Sequence, residues 1–425
     1  LSLARLRTGL SHGLTANVVA LSLVSLLTDV SSEMLVYVIP LFLANVLAAT
    51  PSIIGLIEGL AESTAALLKL VSGALSDRIG RRRVLVGLGY GSSVASKAFF
   101  LLATSWPMVL LARLGDRLGK GIRTAPRDAL LTDSTDPAYR GQAFGFHRAM
   151  DTLGAFFGVL VAVVVVAASQ RSATLLDAQT FQTLVWLALI PGVLAIAVIF
   201  VGVKDVRPTK RALPATDIAP PAGRMARVRA HAAELPTAYW VFVFANVVFA
   251  LGNSSDAFLA LRTQALGVAV VDLLLMIVAF NAANALIAFP VGILSDRIGR
   301  RPLIALAWLI YAAAYAGFAI VSSGGWAAGL WILYGAYYGV NDAVGKAFVA
   351  DVAPAHLRAT GFGILNFGVA IAVLPASVIA GLLWDRIAPS APFWFGAACA
   401  LIALVILAFV RKPRLDAGGA IAAAA

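Results

Sequence analysis

The residues with chemistry to offer are acids and bases set inside apolar runs. Asp29 and Glu33 stand four residues apart, so a helix puts both carboxylates on one face. Glu58, Glu62 and Lys69 form one stripe of the next apolar run, and Arg113, Arg117 and Lys120, with Asp116 beside them, form a stripe of a later one. Lys97, Asp151, Asp256, Asp342 and Lys346 complete the set. Each ionised side chain costs about 2.5–3.5 kcal/mol at the centre of a lipid-facing helix. Such groups must face one another or a wet cavity. Two acids one turn apart with no adjacent cation are costly to keep ionised together. Asp29, Glu33 and Glu62 are therefore candidates for binding a proton or cation, with Asp116 and Asp151 as further intramembrane acids.

The second half of the chain offers hydrogen-bonding groups in place of charge: Asn253, Asp256, Asn281, Asn284, Tyr337, Tyr338, Asn341, Asp342 and Asn366. With Glu58 and Arg117 these make a candidate substrate cavity. The tyrosines are equally packing residues, and Lys69 and Lys97 either point inward or snorkel to the interface. Lys120, Arg123, Arg127 and Asp128 read as interfacial or gate ion pairs. The asymmetry places ion coupling in the first half and hydrogen-bonded recognition across both. No catalytic or metal site is expected. His12, His147, His231 and His356 are scattered, and neither a nucleophile elbow nor a His-Glu-x-x-His motif is present. No cofactor is called for, and an enzyme is not expected. Gly87-Leu-Gly89-Tyr-Gly91 reads as close helix packing rather than a phosphate loop.

The elements that must position these residues follow from composition. Of 425 residues 60% are hydrophobic and 13% charged, against roughly 25% charged in soluble domains. Twelve membrane helices of ~20 residues with short loops account for the length. An all-α integral membrane protein is expected, with its twelve helices in two pseudo-symmetric six-helix bundles. The proposed division is 1–203, a basic linker at 204–235, 236–412, and a tail at 413–425. The first helix is expected from Leu14 to Ala48 and the seventh from Thr237 to Leu266. The run from Leu14 lacks a small-residue cleavage site and reads as a membrane helix, not a signal peptide.

The division rests on an internal repeat. Gly73-Ala-Leu-Ser-Asp77-Arg78-Ile-Gly80-Arg81 returns as Gly292-Ile-Leu-Ser-Asp296-Arg297-Ile-Gly299-Arg300. Asp133, Arg140, Phe144 and Gly145 return as Asp351, Arg358, Phe362 and Gly363, and Ser31-Ser32-Glu33 as Ser254-Ser255-Asp256. The net charge of +12 falls mostly in alternate loops. It therefore sets topology, with both termini cytoplasmic, and does not indicate nucleic acid.

On these motifs the chain resembles the major facilitator superfamily over nearly its full length. The stretch from Gly73 to Arg82 is similar to that superfamily's loop 2–3 signature, and the copy from Gly292 to Arg301 stands in the matching loop 8–9. Arg113 looks like the arginine of the motif associated with proton coupling, though Asp116 and Arg117 stand where a polar residue and a glycine are more usual. Gly154 and Gly158 lack the Gly-Pro pair typical of antiporters. The stretch from Asp29 to Met34 with Pro40 is similar to that of bacterial efflux permeases. The resemblance implies rocker-switch alternating access, a cavity lined by helices 1, 4, 7 and 10, and Asp77 pairing with helix-4 and helix-11 elements. The two arginine-rich loops would then be a gating motif: Gly73, Asp77, Arg78, Gly80 and Arg81, with Gly292, Asp296, Arg297, Gly299 and Arg300. The expected function is proton-coupled export of a small organic or cationic solute, with an uptake symporter or a carboxylate-based metal-ion transporter as alternatives. Expected partners are the lipid bilayer, protons, and a small-molecule or ion substrate. The expected form is a monomer in a bacterial inner membrane.

Overall fold

The computed structural model describes residues 14–79, 81–169, 174–206, 234–352 and 357–409. The helices are α1 (Ala16–Val36), α2 (Val38–Asn45), α3 (Pro51–Ile79), α4 (Arg82–Phe99), α5 (Trp106–Asp133), α6 (Arg140–Ser169) and α7 (Ala178–Gly202) in the first half. The second half holds α8 (Thr237–Gly252), α9 (Ala257–Ala265), α10 (Val270–Ile298), α11 (Arg300–Ile320), α12 (Ala327–Val352), α13 (Arg358–Arg386) and α14 (Ala391–Ala408). Most of the expected basic linker, 207–233, lies outside the described residues, as does the expected tail.

Two spans expected as single helices are broken. α1 and α2 together make the first span, interrupted at Tyr37. Pro40 explains the break: it has no N–H for the Val36 carbonyl, and its ring crowds that carbonyl. α8 and α9 make the seventh span, interrupted over 253–256. There Asn253, Ser254 and Ser255 offer side-chain groups that compete with the helical ladder. Ser255 Oγ accepts the Ala257 N–H at 3.3 Å. With these joins the chain makes twelve spans among the described residues. Ten helical stretches are long and apolar enough to cross a membrane. α5 is not among them, because Arg113, Asp116, Arg117, Lys120, Arg123 and Arg127 crowd one helix.

The spans form two six-helix bundles with the same pairings. In the first, α1 packs on α6 and α7, and α5 on α3 and α4. In the second, α8 packs on α13 and α14, and α12 on α10 and α11. The bundles meet through α3 against α13 and α6 against α10.

They meet most closely at the end away from the arginine-rich hairpins. There Ser52 donates from N (3.0 Å) and Oγ to Asp385 Oδ2, and Ser63 Oγ donates to the Ala370 carbonyl at 3.2 Å. Gly55 and Gly59 let α3 lie directly on α13: a Cβ at Gly55 would run into the Ser377 carbonyl, and one at Gly59 would stand 3.0 Å from Leu374. Tyr37 meets Trp331 edge-on at 6.3 Å, and Gln264 Nε2 donates to the Thr174 carbonyl at 2.6 Å. One apolar core runs across both bundles at this end, through Val38, Leu41, Ile54, Phe258, Leu273 and Trp331. A second core, with Leu21, Val24, Val86, Leu130 and Ile199, stays within the first bundle. At the hairpin end a Cβ on Gly145 or Gly363 would meet nothing within 4 Å, and Phe144 and Phe367 are exposed. The bundles are thus sealed at one end and parted at the other.

The hairpin arginines tie helix ends together. Arg82 pairs with Asp133 at the end of α5. The Arg83 N–H donates to Asp205 at 2.8 Å, and its guanidinium lies over Phe200 at 5.9 Å. In the second half Arg301 donates to the Ala408 carbonyl of α14 at 2.6 Å and Arg300 to Ser295 Oγ. Arginine on the last carbonyls of a helix suits its negative end. Of the expected gating residues, Gly80 and the side chains of Asp77, Arg78 and Asp296 lie outside the described residues, so the expected Asp77 pairing does too. Gly73 and Gly292 are helical, Arg81 and Arg297 are exposed, and Gly299 makes the one-residue turn between α10 and α11 at φ +88°.

A side chain at Gly55 must push α3 off α13. Gly55→Val is expected to cut disulfide formation between Ser52→Cys and Asp385→Cys at least severalfold, as read by mobility shift. Unchanged cross-linking would show that the seal does not need that close approach.

Candidate functional site

A cavity of about 560 Å³ opens between the bundles. From the first bundle it is lined by Asp29 and Glu33 of α1, Glu58 and Glu62 of α3, Lys97 of α4, and Arg113, Asp116, Arg117, Lys120 and Arg123 of α5. Arg148 of α6 joins them. From the second bundle come Asn253, Ser254, Ser255 and Asp256 at the break of the seventh span, Phe280, Asn281 and Asn284 of α10, Tyr338 of α12 and Ser377 of α13. The expected walls from spans 1, 4, 7 and 10 are all present, and spans 2, 3, 5, 8 and 11 add to them.

The charged wall is an ordered set of pairs. Arg113 Nε donates to Glu58 Oε1 at 2.9 Å, and its Nη2 donates to Oε2. This fork is fixed geometry, and both side chains are 4% exposed. Arg117 bonds Glu62 at 2.9 Å and stands 3.9 Å from Asp116. Arg123 donates to Ser93 Oγ at 2.6 Å and stacks over the Tyr90 ring at 4.3 Å. Arg127 turns away from the cavity to Asp128 and Ser25. Lys97 does not snorkel: it is 3% exposed, and Nζ donates to Ser31 Oγ (2.8 Å) and Ser32 Oγ (3.0 Å). Lys69 is exposed.

Asp29 and Glu33 differ from the other acids of this wall. Both are half-buried, and neither has a hydrogen-bond or salt-bridge partner among the described residues. α6 passes directly behind them. A Cβ at Gly154 would stand 2.5 Å from the Leu26 carbonyl, and one at Gly158 would stand 2.7 Å from the Val30 carbonyl. The glycines noted in the sequence for a missing proline thus let α6 press the acid-bearing turns of α1 towards the cavity. Of the expected Gly87–Gly91 packing, only Gly89 makes a close approach, to Gly119 of α5.

The facing wall is nearly neutral. Asp256 is its one charged lining group among the described residues, held by Tyr334 Oη (2.5 Å to Oδ1) and Tyr338 Oη (3.3 Å to Oδ2). Asn253 Oδ1 and Asn281 Nδ2 are buried without a partner. Among the described lining residues the formal charges cancel: Asp29, Glu33, Glu58, Glu62, Asp116 and Asp256 against Lys97, Arg113, Arg117, Lys120, Arg123 and Arg148.

Some expected site residues fall elsewhere. Tyr337 is 2% exposed and packs among Phe249, Tyr311 and Tyr334, so it belongs to the aromatic core. Asp151 stands behind the wall, 3.7 Å from His147. Asn341 and Asn366 do not line the cavity, and Asn366 is exposed. The side chains of Asp342 and Lys346 lie outside the described residues. Tyr37, Tyr334 and Ser377 are cavity or carboxylate partners that the sequence reading passed over. Tyr37 had a signal, since a proline three residues on places it at the break. No cluster of three metal-type ligands occurs among the described residues.

Two like bundles around a central charged cavity define a helical membrane transporter of the alternating-access class. The profile of the Major Facilitator Superfamily matches residues 21–261 and 241–422, and the chain belongs to that family of secondary transporters. An uncharacterised MFS-type transporter of Methanocaldococcus jannaschii is 32% identical over 403 residues, covering 93% of this chain and 95% of that one. Among solved structures, the nucleoside transporter NupG superposes with a TM-score of 0.73 at 11% identity, covering 93% of this chain and 100% of that one. A bacterial homologue of the lysosomal transporter Spinster, in an inward-facing and unoccupied conformation, gives 0.68 at 16%, covering 92% and 94%. At these identities the two structures share the fold.

Breaking a buried pair leaves an uncompensated charge, at about 3–5 kcal/mol. Arg113→Met is therefore expected to lower the melting temperature of the detergent-solubilised protein by several degrees. The double change Glu58→Met with Arg113→Met should recover most of that loss. A double variant no better than the single one would mean that the pair holds more than its own charges.

Proposed function

We propose that this protein is a proton-coupled secondary transporter that carries a small organic solute by rocker-switch alternating access. The observation carrying this reading is the pair Asp29 and Glu33. They face the cavity one helix turn apart with no hydrogen-bond or salt-bridge partner among the described residues, while Glu58, Glu62 and Asp116 on the same wall have arginines. A carboxylate without a fixed counter-charge in a low-dielectric cavity is the group whose charge a proton can change at least cost to the surrounding structure. Adding a proton there shifts the neutral cavity to net positive charge. Each unit of charge moved across the membrane is worth about 2.3 kcal/mol per 100 mV, enough to bias a two-state protein more than tenfold.

The basic hairpins support a cytoplasmic position for the parted end of the bundles and for both termini, since Lys and Arg favour that side. The conformation is then inward-facing, in a bacterial inner membrane, with the protein working as a monomer. The hairpin arginines hold helix ends at that gate. The cavity volume suits a small organic molecule. A resident metal gains no support from the donor set, because arginines already hold Glu58, Glu62 and Asp116 and tyrosines hold Asp256.

Direction follows from the charge of the solute. A cation competes with the proton for Asp29 and Glu33 and is exchanged against it, which is the export expected from the sequence. An anion binds with the proton and moves with it.

Glu33→Gln should abolish pH-gradient-driven accumulation in proteoliposomes by at least tenfold while energy-independent exchange of the same solute persists. The solute is taken from a thermal-shift panel. Undiminished gradient-driven accumulation by the variant would remove Glu33 from the coupling site.

A further inference from the structure

Lys97 is a buried cation with no salt bridge among the described residues; Asp116 and Asp29 act on it only from beyond salt-bridge distance. It is 3% exposed and lines the cavity. No carboxylate lies within 4.0 Å of its Nζ among the described residues. Two of its three N–H bonds go to Ser31 and Ser32. Ser31 spends its own proton on the Ala188 carbonyl at 2.6 Å, so its lone pairs are fixed towards the lysine. The ammonium is thereby held in place with one donor unspent. Buried charges are normally paired, and here the protein supplies hydroxyls instead. Flat and hydrogen-bonding surface surrounds it: the ring of Tyr37 from the first bundle and, from the facing wall, the rings of Phe280 and Tyr338 and the amides of Asn253 and Asn281 with their unpartnered atoms.

We propose that the transported solute is a small organic anion with a planar, hydrogen-bonding body, its anionic group received by Lys97 Nζ and its ring laid against Tyr37, Phe280 and Tyr338. This rests on the reading of the cavity as the solute site and gives that reading a substrate class. The sign of coupling follows. Around Asp29 and Glu33 stand Lys120, Arg113, Arg117, Arg123 and Arg127 of α5 and Asp151 of α6. Asp116 acts on Lys97 throughout, whereas Asp29, with Glu33 one turn on, repels an anion there when ionised and not when it carries a proton. Anion and proton therefore favour the same state and cross together, so an inward proton gradient drives uptake.

The test is equilibrium binding of labelled benzoate to the full-length protein in detergent. Benzamide and benzylamine serve as neutral and cationic competitors of the same shape. Benzoate is expected to bind at least tenfold tighter than benzamide, with benzylamine weakest. Lys97→Met should reduce benzoate binding at least tenfold and leave benzamide unchanged, and Lys97→Arg should retain part of the preference. Benzoate no tighter than benzamide, no benzoate binding up to millimolar concentration, or wild-type benzoate affinity in Lys97→Met would each overturn the proposal. Tightest binding by benzylamine, lost in Glu33→Gln, would overturn the anion assignment while leaving the proton-coupled reading standing. If Lys97→Met fails to elute as a folded monodisperse species, the wild-type ranking of the three ligands and the Lys97→Arg variant decide.

Discussion

The energetic penalty on charge in hydrocarbon is the constraint from which the rest of this structure follows. The first bundle carries more ionisable side chains than a membrane bundle can expose to lipid, and the fold answers by turning them to one face. The Arg113–Glu58 fork and the Arg117–Glu62 bond fasten α5 to α3 along the cavity wall. Because those pairs are spoken for, the groups left over among the described residues stand out: two acids in no salt bridge and a buried lysine held only by hydroxyls. Function in this cavity is read from the residue of the charge accounting, not from its bulk.

The two bundles share a plan but divide the labour. Internal duplication gives both a broken first helix, at Tyr37 and at 253–256, with a Ser-Ser-acid triplet beside each break. In the first bundle the acid, Glu33, is left without a partner. In the second, Asp256 is held by two tyrosine hydroxyls. One copy keeps a carboxylate available, and the other builds its counterpart into an aromatic wall. The same sequence triplet therefore leaves a carboxylate unpartnered among the described residues on one side and is built into the surface on the other.

Much of this was legible in the sequence, for definite reasons. The twelve spans follow from apolar run length, and the two bundles from the repeat at Gly73 and Gly292. The inward turn of Asp29, Glu33, Glu58, Glu62, Arg113 and Arg117 follows from helical spacing combined with the expense of lipid exposure. What spacing cannot give is the angle between helices. Tyr337 and Tyr338 are neighbours in sequence, yet a helix sends them about 100° apart. One joins the aromatic core and the other reaches the cavity. Lys97 was ambiguous because its serine partners lie on a different helix, more than sixty residues away. The breaks in the first and seventh spans were missed because an apolar run reads as continuous whether or not its hydrogen-bond ladder is.

The continuous apolar core at the sealed end belongs to neither bundle alone. Side chains of α2 and α3 share it with α9, α10 and α12, while the core at the opposite end of the first bundle stands apart. Cooperative units of unfolding follow contiguous packing rather than gene duplication. Under a pulling force, or in slow amide exchange, the layer spanning the two halves behaves as one block. The shared core continues through Leu303, Val349 and Val352 to the hairpin end of the second bundle, so the hairpin end of the first bundle, with its own core, gives way separately and the mechanical subdivision does not follow the ancestral seam.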